Sequence, residues 1–223
     1  MLTAQRINIP VSEDIGSVSG LLILAKAATS LMILSHGAGA GMEHSFMEQL
    51  AQALATVKIG TLRFNFAYME KGKGAPDQPP KAKAVIKATL KKAEELSNGL
   101  PILVSGKSFG GRMASQLAAT EDIAPVKGIV YYGFPLHAPG KIGIERAAHL
   151  SDISIPQLFL QGTRDTFAKT NLITEVCEGL PLAKLVIIEG GDHSFKMLKR
   201  SGITQEEAIQ KLAEETAVFA QGL

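Results

Sequence analysis

Pro101-Ile102-Leu103-Val104-Ser105-Gly106-Lys107-Ser108-Phe109-Gly110-Gly111-Arg112 is the stretch from which the fold is read. An apolar run leads straight into Gly106-Lys107-Ser108-Phe109-Gly110, a G-x-S-x-G, and Met113 and Leu117 follow at helical spacing. That order is strand, sharp turn, helix. A serine at such a turn takes a strained backbone conformation, and a side-chain carbon at either flanking glycine would crowd the neighbouring strand and helix. The hydroxyl is thereby held clear of the sheet. Gly106-Lys107-Ser108 also resembles the end of a phosphate-binding G-x-x-x-x-G-K-[ST]. The position of its first glycine holds Pro101, however, and the residues between are strand-like, so nucleotide binding is set aside.

Upstream, residues 6–11 read as a strand that pairs with 20–26 across a turn region at 12–19. Ser30–Ser35 is a continuous apolar strand ending in His36-Gly37-Ala38-Gly39-Ala40-Gly41, after which a helix from His44 carries Phe46, Met47, Leu50 and Leu54 on one face. A strand at 60–66 precedes a loop at 71–80 rich in breakers (Gly72, Gly74, Pro76, Pro79, Pro80). Val85, Ile86, Leu90, Ala93 and Leu96 then trace a helical stripe. Downstream lie strands at Val126–Tyr132, 156–161 and 183–189, a helical stretch at Thr170–Glu178, and a capping box, Thr204-Gln205-Glu206-Glu207, opening a terminal helix. Strands alternate with helices and are continuously apolar, the pattern of a mostly parallel sheet covered by helices on both faces. In such a sheet the functional loops sit at the carboxyl ends of the strands. With no repeat or inserted segment, one domain over 1–223 is expected.

The composition agrees. The chain has 223 residues, 46% hydrophobic and 20% charged, enough for a well-buried core. Lys plus Arg number 23 against 21 Asp plus Glu, a net charge of +2 with scattered basic residues, so neither nucleic acid nor an anionic membrane is the expected partner. Lys81, Lys83, Lys87, Lys91 and Lys92 read as a solvated helix face. The single cysteine, Cys177, excludes an intrachain disulfide and a cysteine metal cluster and reads as packing. No leader-like N-terminus or membrane-length apolar run is seen, and a cytoplasmic protein without a membrane span is expected. Oligomeric state is not legible.

A serine hydroxyl attacks well only when a base takes its proton and a third group orients that base. The chain supplies both at strand ends: Asp165 in Gly162-Thr163-Arg164-Asp165 and His193 in Gly190-Gly191-Asp192-His193-Ser194-Phe195. The order Ser108, Asp165, His193 matches the nucleophile, acid, base order of α/β-hydrolases. Asp192 and Glu189 are weaker rivals for the acid, since Asp192 abuts His193 in sequence. Two backbone N–H groups should receive the oxyanion, one from Phe109 and one from the glycine-rich loop, where Ala38 is the first choice and Gly39 the next. His36 reads as a residue that positions this loop.

The segments Arg63-Phe64-Asn65-Phe66, Gly106 to Arg112, Phe134-Pro135-Leu136-His137-Ala138-Pro139-Gly140-Lys141, Gln161 to Asp165 and Gly191-Asp192-His193-Ser194-Phe195 resemble the α/β-hydrolase superfamily. Within it they look like the small lidless testis-expressed protein 30-like group, related to dienelactone hydrolases. The resemblance implies an α/β-hydrolase fold and the Ser108, Asp165, His193 machinery, and leaves the substrate open. Dienelactone hydrolases use a cysteine nucleophile where this chain has Ser108, and only residues 133–155 are available for a cap, too few for a substantial lid.

The resulting expectation is a serine hydrolase acting on a small ester or related acyl substrate, with no metal or cofactor. An amide hydrolase or peptidase, and a non-catalytic binding or scaffold protein on the same fold, are the alternatives. Loops 67–80 and 133–155 should shape the pocket, with Met42, Tyr68, Phe134 and His137 as candidate lining residues.

Overall fold

The computed structural model describes residues 2–223. Its strands are β1 (Gln5–Ser12), β2 (Gly16–Ile23), β3 (Ser30–Ser35), β4 (Ile59–Phe64), β5 (Ile102–Lys107), β6 (Val126–Tyr132), β7 (Gln157–Gly162) and β8 (Ala183–Ile188). They form one sheet in the order β1-β2-β4-β3-β5-β6-β7-β8. β1 is antiparallel to β2 and β2 to β4, and every other pairing is parallel. The helices are α1 (Ser45–Thr56), α2 (Ala67–Glu70), α3 (Pro79–Leu96), α4 (Phe109–Thr120), α5 (Thr170–Glu178) and α6 (Gln205–Gln221). The order and the pairing are those of the α/β-hydrolase fold.

Side chains alternate across a strand, so a strand covered on both faces must be apolar at every position. In β3, Leu31 and Ile33 belong to the buried cluster that Val85 of α3, Met113 of α4 and, farther along the sheet, Ile173 of α5 complete. Met32 and Leu34 face the other way, onto Leu50 of α1 and Leu212 of α6. This two-sided core fixes β5 in the middle of the sheet and brings the loops after β3, β5, β7 and β8 to one edge.

Several boundaries differ from the sequence reading, β4 among them, which ends at Phe64 because Phe66 already caps the next helix. β2 begins at Gly16, whose φ of +84° closes the hairpin early. Its buried residues are Val18, Gly20, Leu22 and Ile23, and the glycine in the middle and the consecutive pair at the end leave the alternation faint. Pro79 and Pro80 do not belong to the breaker loop but form the first turn of α3, where a missing N–H costs nothing. Residues 67–70, between the strand at β4 and that loop, form the short α2. The lysine run does lie on α3, with Lys81, Lys87 and Lys92 paired to Asp77, Glu121 and Glu95. Between β6 and β7 the chain makes only two short 3-10 turns, Glu145–Ala147 and Leu150–Asp152, and no lid. Among the described residues no helix is long and apolar enough to cross a membrane.

The turn from β5 into α4 leaves no room for a side-chain carbon at Gly106 or Gly110. A Cβ on Gly106 would overlap the Gly111 nitrogen, the Gly110 carbonyl carbon and Ser35 Oγ; one on Gly110 would lie 2.6 Å from Ser35 Oγ and 2.7 Å from the His36 carbonyl oxygen. By contrast nothing lies within 4 Å of a Cβ on Gly39. Gly106→Ala is therefore expected to destabilise the protein by roughly 3 kcal/mol or more, and Gly39→Ala by under about 1 kcal/mol. Denaturant unfolding of the two variants beside the wild type measures the difference.

Candidate active site

Ser108 follows β5 and caps α4 with φ 51° and ψ −111°, a region that residues with a Cβ rarely occupy. Its N–H donates to the Tyr132 carbonyl oxygen at 3.2 Å, and its own carbonyl accepts the Arg112 N–H at 3.0 Å. The backbone is thus pinned from both sides while Oγ stays free to reach His193. The Ser108 hydroxyl lies 2.8 Å from His193 Nε2, and His193 Nδ1 lies 2.7 Å from Asp165 Oδ2. An ionised Asp165 can only accept, so Nδ1 carries the proton and Nε2 accepts from the serine.

Asp165 is 5% exposed and held on every side. Its Oδ1 accepts the Phe167 N–H at 2.7 Å, and its Oδ2 also accepts from Gln161 Nε2. Gln161 Oε1 in turn takes the Phe134 N–H at 3.0 Å. The loops carrying Asp165 and His193 are tied together by the Arg164 N–H to the Gly191 carbonyl and Arg164 Nη1 to the Gly190 carbonyl, both 2.9 Å. Neither rival acid meets His193. Asp192 Oδ1 accepts the Ser194 and Lys196 N–H groups at 2.8 and 2.9 Å, closing its own turn, and Glu189 accepts from Thr163.

Burial is the largest influence on the His193 imidazole and holds its pKa below the usual 6.5; the hydrogen bond to Asp165 raises it, and the charge of Lys107 lowers it further. The imidazole is therefore neutral at neutral pH. Lys107 is a residue whose importance the sequence did not disclose. Its Nζ is buried without a hydrogen-bond partner and sits 5.9 Å from the Phe195 ring centroid. Burial brings its pKa down to about 8, with Asp165 and Asp192 pulling the other way. Gly133 (φ +72°) leaves the space beside this ammonium, Asp165 and His193: a Cβ there would be 3.1 Å from Nζ, 3.2 Å from the His193 carbonyl oxygen and 3.5 Å from Asp165 Oδ2.

The glycine-rich loop after β3 is fixed by His36 and Tyr68. His36 Nδ1 donates to the Gly37 carbonyl at 2.8 Å, and Nε2 accepts the Phe66 N–H at 3.0 Å; burial lowers this imidazole to about 4, so it stays neutral. The Tyr68 hydroxyl, pushed up to about 12 by burial, lies 3.2 and 2.8 Å from the Gly37 and Ala38 carbonyl oxygens. In a trans peptide the N–H points opposite to the carbonyl. The Ala38 and Gly39 N–H groups are thus turned away from Tyr68, and neither donates to another protein group. The Phe109 N–H, at the first position of α4, lacks a helical acceptor as helix geometry requires.

These groups line a cavity of about 760 Å³, a size typical of small-molecule sites. Ser108, His193, Ala38, Gly39 and Phe109 are all on its wall, and Asp165 lies behind it. Met42, Tyr68, Phe134 and His137 are not: all four are buried, at 2% exposure or less. Their loops do reach the cavity, but through Pro76, Asp77, Pro135, Pro139 and Arg146, because the aromatic side chains turn down into the core, Phe134 against Tyr131 and Phe159. Phe46, Met47 and Met113, read as core-facing, also line it, as do Arg112 and Phe167. Among the described residues no three His, Cys, Asp or Glu side chains gather as a metal-ligand set. Cys177 is buried, its thiol raised to about 12, away from this edge.

A family model described as an alpha/beta hydrolase domain matches residues 28–221. Among solved structures, the chain is similar to an alpha-beta serine hydrolase homologue from Coxiella burnetii, at 20% identity and a TM-score of 0.76 over 98% of both chains. It is similar to a dienelactone hydrolase from Anabaena variabilis (18% identity, TM-score 0.77, 99% of this chain and 97% of that one). A lidless serine hydrolase from Xanthomonas campestris aligns at 18% identity and a TM-score of 0.73, covering 96% of this chain and 95% of its own. At these identities the similarity is one of fold.

In Lys107→Met the His193 titration midpoint is expected to move up, because a nearby positive charge that disfavours the imidazolium is gone. Imidazole nitrogen shifts followed against pH read it directly, and a midpoint that stays or falls contradicts the assignment.

Proposed function

The chain belongs to the alpha/beta hydrolase domain family, and from that premise we propose that it is a serine hydrolase cleaving a small carboxylic ester through Ser108, His193 and Asp165. The observation that carries the reading is the unbroken line from Ser108 Oγ to His193 (2.8 Å) to Asp165 (2.7 Å), opening on the cavity. Residues 1–223 act as one catalytic domain. The Pro135-Leu136-His137 segment and the absence of a lid support the finer kinship with the testis-expressed protein 30-like group.

In this mechanism neutral His193 takes the Ser108 proton at Nε2 as Oγ attacks the carbonyl carbon. Asp165 accepts from Nδ1 throughout and stabilises the imidazolium that forms. The carbonyl oxygen becomes an oxyanion received by the N–H groups of Phe109 and Ala38, with the positive end of the α4 dipole behind the former. The imidazolium then protonates the leaving alkoxide, giving an alcohol and an acyl-Ser108. Water, deprotonated by His193, attacks the acyl carbon; the bond to Ser108 Oγ then breaks, the imidazolium returns its proton to Oγ, and the acid leaves. Tyr68 and His36 hold the Ala38 donor in place before substrate arrives, so little reorganisation is needed as charge develops.

The Ser108→Ala variant should stay folded, as judged by circular dichroism, while kcat for short-chain p-nitrophenyl esters drops by about 10⁴-fold or more. In the wild type, kcat/KM should rise with pH along one limb whose midpoint lies below 6.5, since activity needs the unprotonated base and burial lowers its pKa. Ester turnover retained in Ser108→Ala would remove the nucleophile assignment.

A further inference from the structure

Beyond the reacting groups, the cavity wall carries an imbalance of charge. Arg112 and Arg146 both line it, and neither has a carboxylate within ion-pair distance among the described residues. The one acid on the wall, Asp77, is already engaged: it pairs with Lys81 at 3.0 Å and accepts the Tyr68 N–H at 2.9 Å. Arg112 Nε is buried with no hydrogen-bond partner. Arg146 is steadied by Nη1 donating to the His137 carbonyl at 2.9 Å, which leaves the rest of its fork unused.

Nothing around the pair compensates it. Burial and the charge of Arg146 both lower the Arg112 pKa. His149, whose Nε2 bonds Ser115 Oγ at 2.7 Å, is itself held low by burial and by Arg112, and so stays neutral. Asp152, on the neighbouring 3-10 turn, acts on His149 but forms no ion pair with either arginine. Two half-buried like charges with a shared, unfilled demand for hydrogen-bond acceptors are costly to the free protein. A bound anion would remove that cost.

The placement relative to Ser108 is defined by the backbone. The Arg112 N–H closes the first turn of α4 on the Ser108 carbonyl, so Arg112 follows the nucleophile by one turn, and both residues line the cavity. Arg146 reaches the same cavity from the 133–155 segment, its N–H anchored on the Leu136 carbonyl at 3.1 Å. Phe46 and Phe167, backed by the buried Met47 and Met113, form the apolar part of the wall for the hydrocarbon between the two ends of a ligand. Guanidinium forks match the geometry of carboxylate and phosphate oxygens.

We propose that Arg112 and Arg146 form an anion subsite that selects esters bearing a carboxylate or phosphate group a short span from the scissile carbonyl. The inference rests on the Ser108 reaction for its substrate class, and on the two arginines alone for the site. The charged group is held by Arg112 and Arg146 while the carbonyl lies between Ser108 Oγ and the Phe109 N–H.

Matched esters differing only in the anion test this. Monomethyl adipate against methyl hexanoate places a carboxylate on the acyl side. The 3-acetoxybenzoate anion against its methyl ester places it on the leaving side, and 3-acetoxyphenyl phosphate against 3-acetoxyanisole gives the phosphate arm. The wild type is expected to favour the charged member of at least one pair in kcat/KM by about tenfold or more. The ratio should collapse in Arg112→Gln and Arg146→Gln and shrink at high salt. Arg146→Gln keeps the test open should the half-buried Arg112 prove necessary for folding. A wild type that favours the neutral member of every pair overturns the subsite and leaves the hydrolase reading standing. A preference that survives both substitutions overturns the assignment to these arginines. If no ester of any kind is turned over, the hydrolase reading is what has failed, and calorimetry with adipate and phenyl phosphate then decides the subsite. Binding weakened about tenfold in Arg146→Gln supports it, and no binding by the wild type overturns it.

Discussion

The structure depends on how closely the backbone of α4 approaches β3 and β5. Gly106 and Gly110 have no room for a side-chain carbon, and Ser108 between them is forced to a positive φ. That conformation costs on the order of 1–3 kcal/mol, and packing on both faces of the sheet offsets it. Without the two-sided core the turn would relax, α4 would move off β5, and the serine hydroxyl would leave His193. Fold and candidate site are thus linked by a steric constraint spanning the five residues Gly106 to Gly110.

The groups around Ser108 fall into three tiers of restraint. Asp165 is saturated with donors and buried, so it is fixed. His193 is held by Asp165 and packed against Phe167 at 4.4 Å between ring centroids, yet its Nε2 faces the cavity. The Ala38 loop has few contacts of its own and takes its shape from His36 and Tyr68. Lys107, which also lines the cavity, adds a charge that lowers the His193 pKa. Its position between Gly106 and Ser108 is set by the same turn, so the elbow determines the environment of His193 as well as the geometry of the serine.

Much of this was legible in the sequence because strand ends are punctuated. Glycine-rich turns after β3, β5, β7 and β8 marked the loops, and an apolar strand before each gave the edge they share. The pairing of His193 with Asp165 instead of Asp192 followed from reach, and the structure brings the former pair together. The walls of the cavity were not legible. Whether an aromatic at a strand end turns inward, as Phe134 and Tyr68 do, depends on tertiary packing that local spacing does not encode. Arg112 reads along α4 as an ordinary polar position, and only the fold shows that this face of the helix looks into the cavity beside Arg146. Pro79 and Pro80 read as breakers because the same residue ends one helix and begins another, and the choice lay in how the preceding loop packs.

The central claim is that Ser108 is an activated nucleophile, and the most direct measurement is where a fluorophosphonate becomes attached. After treatment of the folded protein, intact mass should show one adduct per chain, and peptide mapping should locate it on Ser108. Folded protein that takes no adduct, or carries it on another residue, would contradict the account.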